Sequence, residues 1–238
     1  MPFTLTHPAL VVFNKNNNLN LLGLILGSMA PDFIYFILFN PSSNLGHTLN
    51  GFIFFNLPLC FLLAYIITTI IKYPFISNLP FGLSKYYTYL LDDKNKSISL
   101  KNVIVFTYSS LIGMLTHVFW DSFTHKTGFF VNNIKFLTES FNILSFKIPI
   151  YKILQHGSTI IGFFIILAFL YSIKKISYKK FYCNKVKYHL IALIFLILTL
   201  ILGYILFHNF GIGRFVVTTV NGLFIGYFIS SLILIGKY

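Results

Sequence analysis

Acid is what this sequence has least of. Five of its 238 residues are Asp or Glu, against 18 Lys and Arg. Charge of either sign is scarce too, at 10% of the chain, where a soluble domain carries about a quarter. That excludes an ordinary soluble domain. Cysteine is limited to Cys60, inside an apolar run, and Cys183, in a basic loop. A disulfide framework is therefore excluded, and no thiolate set competes for a metal. There is no Gly-rich phosphate loop, and no linker or low-complexity tract large enough to divide the chain. The first apolar run lacks a basic start and carries Asn early, so no cleavable signal peptide is expected.

What fills the chain instead is apolar. Hydrophobic residues make up 56%, and they gather into runs of about twenty, the length that crosses a bilayer as a helix. The expected fold is all-α: a polytopic membrane bundle of about five spans plus a short N-terminal helical hairpin. Residues 1–238 read as one integral membrane domain, with its motifs in 1–160 and C-terminal spanning helices in 161–238. The net charge of +13 would suggest nucleic acid in a soluble protein. Here the Lys residues sit in loops and the aromatics in apolar helices, so orientation and contact with anionic lipid explain the charge. No nucleic-acid partner is expected.

The few acids are informative by position. Asp92, Asp93 and Glu139 fall in polar loops, whereas Asp32 and Asp121 lie in or beside apolar runs. An acid at the centre of a spanning helix costs about 2.5–3.5 kcal/mol, so it usually has a partner or a task. Asp121 stands between His117 and His125, each four residues away. Residues four apart share one helix face. Gly113 extends that row back one turn and leaves room for a second helix. Imidazole, carboxylate and imidazole in a row suggest metal ligands, and a hydrogen-bonded seam between helices is the alternative.

Along the chain, Thr6 and Pro8 suit the start of a short helix. Asn14–Asn18 is a turn, and Leu19–Ala30 is apolar, with Gly23 and Gly27 on a packing face. A hairpin of two short helices would return Asp32 to the level of His7; one span from Leu19 to Phe39 would separate them. A turn-rich loop then leads to His47 and a span to about Lys72, kinked at Pro58. Tyr73–Lys101 is a loop with an interfacial helix around Ser84–Leu91. The span Asn102–Trp120 ends in the His117 row. Lys126–Lys152 alternates aromatic and polar residues, as a surface lid would. Gln155–Tyr171, Tyr188–Phe207 and Phe215–Ile235 are further spans.

The loops Lys72–Lys101 and Lys174–Lys187, with the C-terminus, hold twelve basic residues against five on the other side, Lys15 at the hairpin tip aside. The positive-inside rule makes the first group and the C-terminus cytoplasmic. Asp32, His47, the His117 row and His156 then share the outer side, joined by His7 if the hairpin forms. Neutral imidazole and carboxylate suit zinc, or Mn and Fe where carboxylates dominate. One to two ions fit this many donors, and such ions activate water for phosphoryl transfer. His189 and His208 read as interfacial, Trp120 as a membrane-belt residue. Arg214 is a candidate anchor for an anionic head group.

These blocks resemble a family of uncharacterised bacterial multi-pass membrane proteins related to the predicted membrane-bound metal-dependent hydrolases. The likeness is carried by Pro2–Ala9, Gly27–Asp32, Gly46–Thr48, Gly113–His125 and Gln155–Thr159, and covers the chain to about residue 160. A more distant likeness is to zinc-dependent phospholipase C and the single-strand nucleases of that fold. His7, Asp32, His47, the pair His117 and Asp121, His125 and His156 follow the ligand order of those enzymes. That resemblance implies that Asp121 bridges two metals, with His47 and His117 on one and His7 on the other. Asp32 would be the general base or a bridging group, and His125 and His156 would hold a third ion. The chain departs from the pattern at Ile160, where those enzymes carry Glu, and has no counterpart to their N-terminal amine ligand. His156 is then an alternative contact to substrate. The resemblance implies a hydrolase of the bacterial cytoplasmic membrane, cleaving a phosphoester in a lipid or lipid-linked substrate. A structural metal site or an ion path, without catalysis, is the alternative.

Overall fold

The computed structural model of the chain describes residues 3–92, 99–143, 146–177 and 184–234. Pro2, Asp93, Cys183 and the C-terminal Lys237 lie outside them, as does part of each basic loop. Among the described residues, five helices are long and apolar enough to cross a membrane, so this is a multi-pass membrane protein. The chain opens with a 3-10 helix, Thr4–Leu10, and the short apolar helix α1, Leu21–Met29. The long helices follow: α2, Leu49–Ser77; α3, Leu100–Thr124; α4, Ile150–Ser172; α5, Lys185–Leu206; and α6, Ile212–Leu234.

Local sequence explains the boundaries. The Asn20 side chain accepts from the Gly23 N–H and caps α1, and Ser99 caps α3 through the Asn102 N–H, each satisfying a donor the helix start leaves open. Pro58 has no N–H to give, and α2 turns π-helical over Phe52–Asn56 just before it, a common local adjustment around proline. The segment expected to be an aromatic-polar loop instead contains short helices at Phe129–Asn133 and Lys135–Thr138. It ends in a β-hairpin that pairs Ser140–Ile143 with Phe146–Pro149. Among the described residues this hairpin is the only sheet.

The residues fall into two compact units. The first comprises Met1–Asp32, Leu45–Cys60 and Ile98–Ile173; the second comprises Phe33–Asn44, Phe61–Ser97 and Lys174–Tyr238. In the first, the N-terminal 3-10 helix and α1 form the expected hairpin, and α1 lies along α3. A Cβ added at Gly27 would sit 2.1 Å from the Ser110 carbonyl oxygen, and one at Gly113 2.4 Å from that of Leu24. Only glycine lets these backbones come so close. In the second unit α5 pairs with α6, where Tyr188 hydroxyl meets Ser231 Oγ at 3.0 Å and Ser230 Oγ donates to the Tyr188 carbonyl. His189 bonds to the Asn78 carbonyl and lies 3.2 Å from the Tyr227 hydroxyl.

Candidate metal centre

The close contact of α1 with α3 sets the first ligand. His117 is fully buried on the α1-facing side of α3, and its Nδ1 lies 2.7 Å from the Ser28 carbonyl oxygen. A carbonyl only accepts, so Nδ1 carries the proton and the Nε2 lone pair is left for the cluster. This is how metal-binding imidazoles are usually oriented. Asp121, one turn on, brings its Oδ2 to 3.3 Å from His117 Nε2.

Asp32 arrives on the 3-10 turn Ala30–Asp32 that ends α1. Its side chain is fully buried, and Thr4 Oγ1 donates to Oδ2 at 2.6 Å. That bond turns Oδ1 inward, 3.7 Å from His117 Nε2 and 3.8 Å from His47 Nε2. His47 sits on the 3-10 turn Leu45–His47, held from α2 by Asn56, whose Nδ2 donates to the Gly46 carbonyl at 2.7 Å. His7 stacks on His117, with ring centroids 3.8 Å apart and planes within 17°. Burial, reinforced by the neighbouring His117, pushes its pKa down to about 3, so His7 is neutral near pH 7. Burial also raises the pKa of Asp32 above the usual carboxylate value.

Asp121 divides the cluster. Its Oδ2 faces His117 and His47, at 3.3 and 3.6 Å; its Oδ1 faces His125 and His7, at 3.4 and 3.6 Å. Most of these separations are long for hydrogen bonds. They do match the edge of a tetrahedron of N and O ligands around zinc, about 3.4 Å for bonds of about 2.1 Å. Several donors and acceptors are otherwise stranded: His7 Nδ1 and Nε2, Asp32 Oδ1, His117 Nε2 and Asp121 Oδ1 are buried without a hydrogen-bond partner. Native structures rarely leave buried polar atoms so. A divalent cation beside Asp121 would satisfy the imidazole nitrogens and carboxylate oxygens that face it. Two overlapping sets, His7–His117–Asp121 and Asp32–His47–His117, place their ligand atoms within 4.8 Å of one another and could hold a metal ion.

The chain matches the family described as Domain of unknown function (DUF4184) over residues 1–232. It belongs to the DUF4184 family. No curated protein and no solved structure matches it.

The other candidate residues of this DUF4184 chain take different places. His125 stands just past the end of α3, where its backbone N–H bonds to the Asp121 carbonyl. It is partly exposed, and its Nδ1 lies between Asp121 Oδ1, the Asp121 carbonyl at 3.2 Å and Thr124 Oγ1 at 3.3 Å. His156 is exposed on α4 and belongs to neither ligand set, whereas its neighbour Gln155 is buried. Thr159 of the same motif accepts from the Phe3 N–H, tying α4 to the N-terminal 3-10 helix. Arg214 lies in the second unit with its guanidinium over the Phe207 ring, 4.7 Å from the centroid. Sequence reasoning did not give Thr4 and Asn56 a role. Asn56 carried a usable signal, since a polar amide inside a spanning helix usually has a partner.

Proposed function

We propose that the chain is a membrane-bound metal-dependent hydrolase. It cleaves a phosphoester in a lipid or lipid-linked substrate at the outer face of a bacterial cytoplasmic membrane. One observation carries the reading: a single buried carboxylate, Asp121, turns one oxygen to His47 and His117 and the other to His7 and His125. That division supports two ions bridged by Asp121. His47 and His117 would hold one, and His7 the other, with zinc the best match to the donors and Mn or Fe next. Ions bound there would lower the pKa of coordinated water and offset negative charge on a phosphoryl group.

The protein's own groups supply the rest. Asp32 presents only Oδ1 to the centre because Thr4 holds Oδ2. Burial raises its proton affinity, which suits a base that must accept a proton near neutral pH. His117 cannot turn away, since its Nδ1 proton is fixed on the Ser28 carbonyl. The extracytoplasmic placement rests on the Lys distribution of the loops.

The near-complete burial of Asp32 and His117 favours a second reading, a metal held for structure alone. Asp32→Asn separates the two. The test is release of phosphate or head group from phospholipid and polyprenyl phosphoesters by metal-loaded protein in detergent. The hydrolase reading expects Asp32→Asn to keep its metal and fold while losing turnover at least about a hundredfold. Turnover equal to wild type would remove Asp32 from the chemistry. Metal-loaded wild type without turnover on either ester class would favour the structural reading.

A further inference from the structure

His7 belongs to two surroundings. One edge faces the Asp121 carboxylate; the ring also lines a cleft of about 140 Å³ walled by Ala9, Leu10, Trp120, Ile161 and Ile165. Apart from His7, no ionisable side chain lines that cleft. The opening lies on an apolar surface: Leu10 is 55% and Ile161 62% exposed. Ile161 belongs to α4, one of the helices long and apolar enough to cross a membrane, so the cleft opens onto an exposed apolar face of that helix. Glycine shapes it. A Cβ at Gly162 would meet Thr6 at 3.1 Å, and the lack of one lets the 3-10 helix and α4 approach behind the cleft.

We propose that this cleft seats a hydrocarbon chain of a bilayer lipid and so presents that lipid's polar group to the His7 side of the metal centre. The reasons are chemical. An anion or a sugar would find at most the hydroxyls of Thr6 and Ser158 and the Trp120 indole N–H beside His7, too few polar partners to replace its water. An aliphatic chain needs none, and the surrounding bilayer supplies it at high concentration. The proposal extends the hydrolase reading, and rests on it, by giving the substrate an aliphatic chain whose seat is separate from the metal ligands.

The test is photolabelling in vesicles of phosphatidylethanolamine and phosphatidylglycerol doped with a phospholipid bearing a diazirine in its acyl chain. Adducts are mapped by peptide mass spectrometry, and bound metal is measured on the same samples. Leu193 and Leu198, half-exposed on α5, report labelling by bulk lipid. The expected result is severalfold more adduct at Leu10 and Ile161–Ile165 than at Leu193–Leu198. That excess should vanish in Ile165→Trp, and in Ala9→Leu as an independent filling of the cleft, while metal content and α5 labelling stay unchanged. Equal labelling of cleft and α5 in wild type overturns the proposal. So does an excess that survives both filled variants. Equal labelling in metal-loaded, active protein removes the lipid seat and leaves the hydrolase reading standing. Full cleft labelling in protein that binds no metal does the reverse.

Discussion

Gly113→Ala should weaken metal binding without touching a ligand. A Cβ at residue 113 would lie 2.4 Å from the Leu24 carbonyl oxygen and 2.6 Å from the Ser28 nitrogen. Both are backbone atoms and cannot swing aside. Restoring ordinary contact at 3.4 Å requires α1 and α3 to part by about 1 Å. The bond from His117 Nδ1 to the Ser28 carbonyl, now 2.7 Å, would stretch to about 3.7 Å and cease to be a hydrogen bond. Overpacking of this kind costs about 1–3 kcal/mol. Loss of the bond that orients a metal-binding imidazole typically costs about 10–100-fold in affinity. Competition with a chromogenic chelator in detergent would measure the affinity, and a thermal melt the stability. Gly157→Ala is the matched control: its new Cβ meets nothing within 4 Å, and replacing a helix-interior glycine is worth about 0.5–1 kcal/mol in stability. Metal affinity and melting temperature in Gly113→Ala equal to those of the control would refute the link between helix approach and ligand orientation.

Two further outcomes follow from the same contacts. Thr4→Val keeps the shape but deletes the donor to Asp32 Oδ2. It should lower metal affinity by about tenfold and leave the fold intact; unchanged chelator competition would show that Asp32 needs no orienting bond. Metal uptake should release protons, because burial raises the pKa of Asp32 in the metal-free protein and a cation must displace whatever proton it holds. Affinity should therefore rise with pH, with less proton release at higher pH. A titration in weak buffer with flat or falling affinity would contradict this.

The sequence disclosed the centre more fully than its shell. The repeat of four from His117 to His125 placed His117 and Asp121 on one face, because a long apolar helix leaves little else for that period to mean. The early Pro31-Asp32 stop and the Asn-rich turn implied the hairpin that brings His7 and Asp32 together. The spacing could not say that α3 runs four residues past Trp120 and ends at Thr124, so that Asp121 is helical and His125 is not. Nor could it place His156: one residue is a 100° turn on a helix, and it is Gln155 that faces inward. The orienting bonds from Thr4 and Asn56 depend on which backbones meet, and no local pattern records that. The hairpin over Ser140–Pro149 was hidden by its aromatic-polar alternation, which suits a surface strand and a surface loop alike.

Elemental analysis of detergent-purified protein tests the metal centre most directly. Wild type should carry about one to two equivalents of zinc, manganese or iron. His117→Ala and Asp121→Ala should lose it, and His156→Ala, altering an exposed side chain outside both ligand sets, should keep it. Well-folded wild type that holds no metal after reconstitution would contradict the account, leaving the buried His/Asp cluster a polar seam between helices.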